Sequence, residues 1–134
     1  MKTASLIRFR IDFTESSNVG PGKIDLLESI KEHGSVSEAA RRMGLSYRRA
    51  WLILDSLNKS FDTRVTVNSV GGIGGGGVRV TPFGDLLVET YRKVEGQIAA
   101  LGLKSLKEIK AHARDDVSEA RHRVSIVKKR PRKK

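Results

Sequence analysis

Residues 34–84 constrain the fold more than any other part of the chain. They open with GSVSEAARRMGLSYRRAW (34–51), pass through a glycine-rich stretch, GGIGGGG (71–77), and reach VTPFG (80–84). Ser35 and Glu38 stand in the S-x-x-E relation of a capping box, so a helix begins there. Ala39, Ala40 and Met43 form its inner face, and the alanines let a second helix approach closely. Gly44 ends that helix, Leu45-Ser46 makes the turn, and Ser46 caps a further helix. Within it Ala50, Leu54, Leu57 and Phe61 are spaced four, three and four apart, the period of a buried stripe, with Trp51 beside it.

The segment that follows changes period. Arg64–Val70 alternates and is β-branched, and Val78–Val80 resumes strand character. Between them the glycines lose so much backbone freedom on ordering that neither helix nor strand is favoured. Strand, glycine loop, strand predicts a hairpin. Thr81-Pro82 is then an N-cap followed by proline at the first helical position.

Outside this segment, Ile7, Phe9, Ile11 and Phe13 alternate with Arg8, Arg10 and Asp12, which predicts a half-buried strand over Leu6–Phe13. Ser16–Gly22 is a connector. From Lys23, Ile24, Leu26, Leu27 and Ile30 predict a helix closed by Gly34. From Pro82 a long helix carries Leu87, Tyr91, Val94, Ile98 and Leu101 at heptad a/d spacing, a candidate dimer seam; a helix packed on its own domain is the competing reading. The expected fold is mainly α with a small antiparallel β-sheet, a winged helix-turn-helix with a long C-terminal dimerisation helix. Residues 1–103 would form that domain, 104–120 a helical extension, and 121–134 a disordered basic tail.

Charge must be read by position. The 134 residues hold 26 Lys and Arg against 15 Asp and Glu, a net +11. Eight of the cations lie in RHRVSIVKKRPRKK (121–134), which has no acid, so the first 120 residues carry 18 cations against all 15 acids, a net +3. Such a tail suits DNA, RNA, anionic lipid or an acidic protein, or serves only as a solvated end. There is no cysteine, and hence no disulfide or thiolate metal site. No apolar run reaches the roughly 18 residues of a membrane span, and no signal sequence is visible, so the expected location is cytoplasmic.

Chemistry is hard to place on these residues. Gly72-Ile-Gly74-Gly-Gly-Gly77 matches G-x-G-x-x-G, but a dinucleotide site needs a helix after it, and Val78-Arg79-Val80 follows as strand. His33, His112 and His122 share no close spacing, and no nucleophile set or carboxylate pair is present, so neither enzyme nor metal site is expected. Duplex DNA fits better. A helix about 10–12 Å across enters a major groove about 12 Å wide with polar residues at its N-terminal end. Here that end reads Ser46-Tyr47-Arg48-Arg49. The arginines suit guanine edges, Ser46 and Tyr47 suit phosphates, and Ser35 and Ser37 offer backbone N–H groups at the start of the preceding helix. Arg41 and Arg42 suit phosphates or a solvated face. Lys59 and Arg79 would add backbone affinity, and Gly72, Gly74, Gly75 and Gly76 would form a wing along phosphates or a minor groove.

GKIDLLESIKEHGSVSEAARRMGLSYRRAW, GGIGGGG and VTPFG together resemble the N-terminal DNA-binding domain of molybdate-responsive regulators of the ModE type, relatives of LysR-type regulators. The resemblance covers roughly residues 5–103; S-Y-x-x-A-W (46–51) and the glycine wing are its specific parts. It implies a homodimeric, sequence-specific transcriptional regulator on a pseudo-palindromic site, with Ser46, Arg48 and Arg49 meeting DNA, Ala50 and Trp51 packing, and the helix after VTPFG joining two copies. Members that sense molybdate do so through C-terminal oxyanion-binding domains, and this sequence ends where those would begin. The expectation is therefore a stand-alone module with no cofactor and no molybdate binding. An architectural DNA-binding protein with little sequence preference, and a winged helix that binds a polymerase or another regulator, are the alternatives.

Overall fold

A computed structural model describes residues 7–69 and 77–114. It is mainly helical, with two small antiparallel sheets. In chain order the elements are β1 (Ile11–Asp12), β2 (Asn18–Val19), α1 (Pro21–His33), α2 (Val36–Met43), α3 (Tyr47–Ser60), β3 (Thr66–Ser69), β4 (Gly77–Val80), α4 (Pro82–Ser105) and α5 (Lys107–Ala111).

Helix α1 is the centre of the packing and touches α2, α3, α4 and β4. That position explains its broad apolar face: Ile24, Leu26, Leu27 and Ile30 are all fully buried. It begins at Pro21, two residues ahead of the expected Lys23, because proline at the first helical position gives up no hydrogen bond. Gly34 ends it at φ 73°, a left-handed conformation that glycine adopts without strain.

The two helices that follow are set by their caps. Ser35 Oγ accepts from the Glu38 N–H and opens α2. At its far end Gly44 takes φ 69°, its N–H donating to Ala40 and Arg41 carbonyls while Leu45 N–H reaches back to Ala40 O. This six-to-one closure turns the chain sharply and tucks the half-buried Leu45 against the core. Ser46 follows at once as the N-cap of α3, its Oγ accepting from Arg49 N–H. Ala39, Ala40, Ala50, Leu54 and Leu57 meet in the core.

Strands β3 and β4 pair in the register Thr66↔Val80, Val67↔Arg79, Asn68↔Val78 and Ser69↔Gly77. Val65, just before β3, and Val78 bury themselves in the core. Thr81 fastens the base of this pair twice: its Oγ1 donates to Arg64 O (2.7 Å) and accepts from Gly84 N–H (3.0 Å), capping α4. Gly84 has to be glycine for space, because a Cβ there would run into Val65 O and lie 2.6 Å from Val80 Cγ1.

The N-terminal strand is shorter than its alternation suggests. Only Ile11 and Asp12 pair, with Val19 and Asn18. Ile7, Phe9 and Ile11 still point inward while Phe13 is 51% exposed, its edge on the Phe61 ring. This segment is pinned to α4: Phe9 stacks on Tyr91 at 4.4 Å, and Tyr91 Oη donates to Phe9 O at 2.6 Å. Tyr91 is therefore only 1% exposed, which corrects its placement in a dimer seam. Leu87 likewise packs against the core, and Val94 and Ile98 are half-buried. Of the five heptad residues only Leu101, at 77%, is fully open to solvent. Heptad spacing marks a continuous face of α4, but the near half of that face is covered within the chain. The helix breaks at Leu106, and α5 follows; the rest of the 104–120 extension beyond Arg114 and the basic tail lie outside the described residues.

Candidate nucleic-acid interface

Ser46, Tyr47, Arg48 and Arg49 are brought together by the tight turn after Gly44, within the first turn of α3. All four are exposed, Tyr47 at 57%, while Ala50 immediately after them is fully buried. The helix is thus seated by its inner face with its first turn projecting outward. The first turn has no acid. Ser46 Oγ uses a lone pair on Arg49 N–H, which leaves its hydroxyl hydrogen to donate elsewhere. The Tyr47 ring meets Trp51 edge-on at 6.1 Å, which fixes the tyrosine across one helical turn.

The cations divide into committed and uncommitted groups. Arg41 and Arg42 both bind Glu38: Arg41 Nη2 lies 2.6 Å and Arg42 Nε 2.8 Å from its Oε2. Hydrogen bonds from Arg41 and then Arg42 hold the Glu38 carboxyl down at about 2. Glu38 therefore does not complete a capping box with Ser35; its side chain turns to the arginines instead. Lys31 binds Asp85 at 2.7 Å. Arg92 Nη2 reaches both Asp25 and Glu28 at 2.7 Å, and its Nη1 reaches Glu95 at 3.0 Å. The Arg92 hydrogen bond lowers the Glu28 pKa, and Glu28 is the main cause of a raised Arg92 pKa. The guanidiniums of Arg48, Arg49 and Arg79 make no hydrogen bond or ion pair to another described residue.

The acids collect elsewhere. Glu28, Glu32, Asp85 and Glu89 line a cleft of about 260 Å³ between α1 and α4, floored by Leu27, Val80 and Val88. A second cleft of about 480 Å³, lined by Ile7, Arg8, Asp25, Arg92, Glu95, Gly96 and Ala99, is built around the already committed Arg92. The first, with four acids against Lys31 alone, repels phosphate, whereas the second balances Arg8 and Arg92 against Asp25 and Glu95.

Hairpin β3–β4 is tied to α3 by a residue that the sequence reading passed over. Asn58 Oδ1 accepts from Val65 N–H (2.8 Å) and Thr66 N–H (3.3 Å), and its Nδ2 donates to Thr66 Oγ1 (3.0 Å). An asparagine seven residues before a β-branched run carries no recognisable sequence signal. Gly77 starts β4 close to the α1–α2 corner, where an added Cβ would lie 3.6 Å from Gly34 O. Arg79 is exposed on β4, opposite Val67.

The other expected residues are placed less centrally. Ser35 is consumed as a cap, and Ser37 is exposed in the first turn of α2. Lys59 is not brought to the others: it pairs with Asp55 at 3.1 Å and sits ten residues beyond Arg49, about 15 Å along the helix axis. Gly72, Gly74, Gly75 and Gly76 lie outside the described residues. Among the described residues no helix is long and apolar enough to cross a membrane.

Comparison with known proteins finds relatives over part of this chain. The chain is 41% identical over 86 residues to the molybdenum-pterin-binding protein MopA of Rhodobacter capsulatus, an alignment covering 63% of this chain and 32% of that protein. It is 34% identical over 93 residues to the molybdenum transport protein ModE of Azotobacter vinelandii, covering 69% and 34% respectively. It is also 35% identical over 71 residues to the DNA-binding transcriptional dual regulator ModE of Escherichia coli K12, covering 53% and 27%. The chain thus spans about a third of the length of the curated relatives it matches. No family model matches it. Its homologues are regulators and molybdenum-binding proteins of the ModE and Mop types.

Proposed function

We propose that this chain is a DNA-binding transcriptional regulator of the ModE type, a winged helix whose α3 enters the major groove. The observation that carries the reading is the pair Arg48–Arg49, exposed, uncommitted among the described residues and mounted on the projecting first turn of a helix seated in the core. Unpaired guanidiniums there pay no penalty for leaving a protein partner when they meet guanine O6/N7 or a phosphate. The Ser46 hydroxyl and the free N–H groups of the first turn supply phosphate donors beside them. Asn58 and Thr81 fix hairpin β3–β4 relative to α3, so that Arg79 follows the flanking backbone as a wing.

The active species is a homodimer on a pseudo-palindromic site. Leu101, with Leu106 and Ile109 beyond it, forms an exposed apolar surface at the end of α4 and around α5 that suits a second copy. Half-sites then lie near a multiple of one helical turn, about 34–36 Å, centre to centre.

Titration of fluorescent duplexes enriched from a random pool tests this. Arg48→Ala and Arg49→Ala should each lose about 1–3 kcal/mol of affinity for every base contact removed, with relaxed preference at that position. Unchanged affinity and preference in both variants would remove α3 from the interface.

A further inference from the structure

Leu52 has no role in the core and none in the reading above. It is 50% exposed, on a helix whose buried line is Ala50, Leu54 and Leu57. Leu54 lies about 200° around the helix from Leu52, so the two point to opposite sides. A single exposed leucine is ordinary on a protein surface. What distinguishes this one is its register: Leu52 follows Arg48 by four residues, so the two stand one above the other on the same outward face. Asp55, at seven residues, continues the line, and its carboxylate is occupied by Lys59.

We propose that Leu52 is a specificity residue that packs on the 5-methyl group of a thymine next to the base pair read by Arg48. The inference rests on the reading that α3 lies in the major groove. In that groove thymine alone presents a methyl, and an apolar side chain is the group that recognises it. Four residues of helix rise about 6 Å, and bases follow one another at about 3.4 Å, so the thymine falls within two base pairs of the guanine. A polar base edge at that position would be desolvated by leucine without compensation, which excludes other bases as well as favouring thymine.

Thymine-to-uracil replacement isolates the methyl. Duplexes carrying the selected consensus are titrated with the full chain, each thymine of one half-site being replaced by uracil in turn. At one position, within two base pairs of the position where Arg48→Ala relaxes preference, uracil should weaken wild-type binding about three- to fivefold, the effect of one buried methyl. Leu52→Ala should bind the thymine duplex that much more weakly and show no further loss on the uracil duplex. Uniform indifference of the wild type to uracil, or a Leu52→Ala protein that remains as sensitive as wild type, overturns the Leu52 assignment. If Arg48-dependent specific binding persists in that result, the recognition-helix reading stands; if no duplex is preferred and Arg48→Ala changes nothing, both fall. The wild-type uracil series needs no variant, so it decides the matter even if Leu52→Ala folds poorly.

Discussion

Glu38 decides how many charges the α2–α3 corner can offer to a phosphate. Its half-buried carboxylate holds Arg41 and Arg42, whose own side chains are exposed, so the pairs contribute little to stability but withhold two guanidiniums from other partners. Replacing Glu38 with Gln should raise low-salt DNA affinity and steepen the salt dependence by up to about two phosphates, read from binding constants across a salt series. An unchanged slope would mean that neither arginine faces DNA. The same group sets a pH response. Its folded pKa, about 2, lies below its unfolded value, so its stabilising effect is present above roughly pH 4.5 and is lost as pH falls toward 2. Urea midpoints of wild type and Glu38→Gln should therefore converge over that window and differ most above it. At this scale the sequence was only partly legible. Ser35, Ser46 and Thr81 announce their capping roles through local spacing, whereas Asn58 acts across the end of its helix on the next strand and Arg92 on Asp25 and Glu28, far away in the chain, which no local pattern encodes.

Among elements, the hairpin matters most, because its usefulness depends on its angle to α3. Three hydrogen bonds from Asn58 hold the chain entering β3. Asn58→Ala should cost about 1–3 kcal/mol by leaving partly buried N–H groups unpaired. Amide exchange at Val65 and Thr66 should accelerate more than at Ile24 or Leu27; uniform acceleration would show that Asn58 supports the whole fold and not the hairpin in particular. The element pattern was largely readable: the helices between Gly34 and Phe61, the antiparallel pairing of β3 with β4 and the Thr81-Pro82 start all recur in the structure. Two readings changed. The alternation over Leu6–Phe13 signalled a buried face but not a partner strand, and only two residues pair. The heptad on α4 signalled an apolar face but not what covers it; Phe9, 82 residues away, covers Tyr91.

For the whole molecule, charge and apolar surface are sorted by region: acids along the α1–α4 clefts, uncommitted arginines at the start of α3, and exposed leucines toward the end of α4. Net charge alone would have pointed to residues 121–134, which hold most of the excess. Leu101→Glu should shift the sedimentation of the protein toward monomer while leaving its helix content intact, because the side chain makes no core contact. An unchanged dimer would move the interface elsewhere, and a wild-type monomer at working concentration would remove the dimer altogether. The proposed reader of base sequence is the exposed start of α3. Selection of bound duplexes from a random pool by the purified chain tests it most directly. Two inverted copies of one short consensus at a fixed spacing are expected, with preference at a guanine position lost in Arg48→Ala. Enrichment of no consensus, or the same consensus from Arg48→Ala and Arg49→Ala as from wild type, would contradict it.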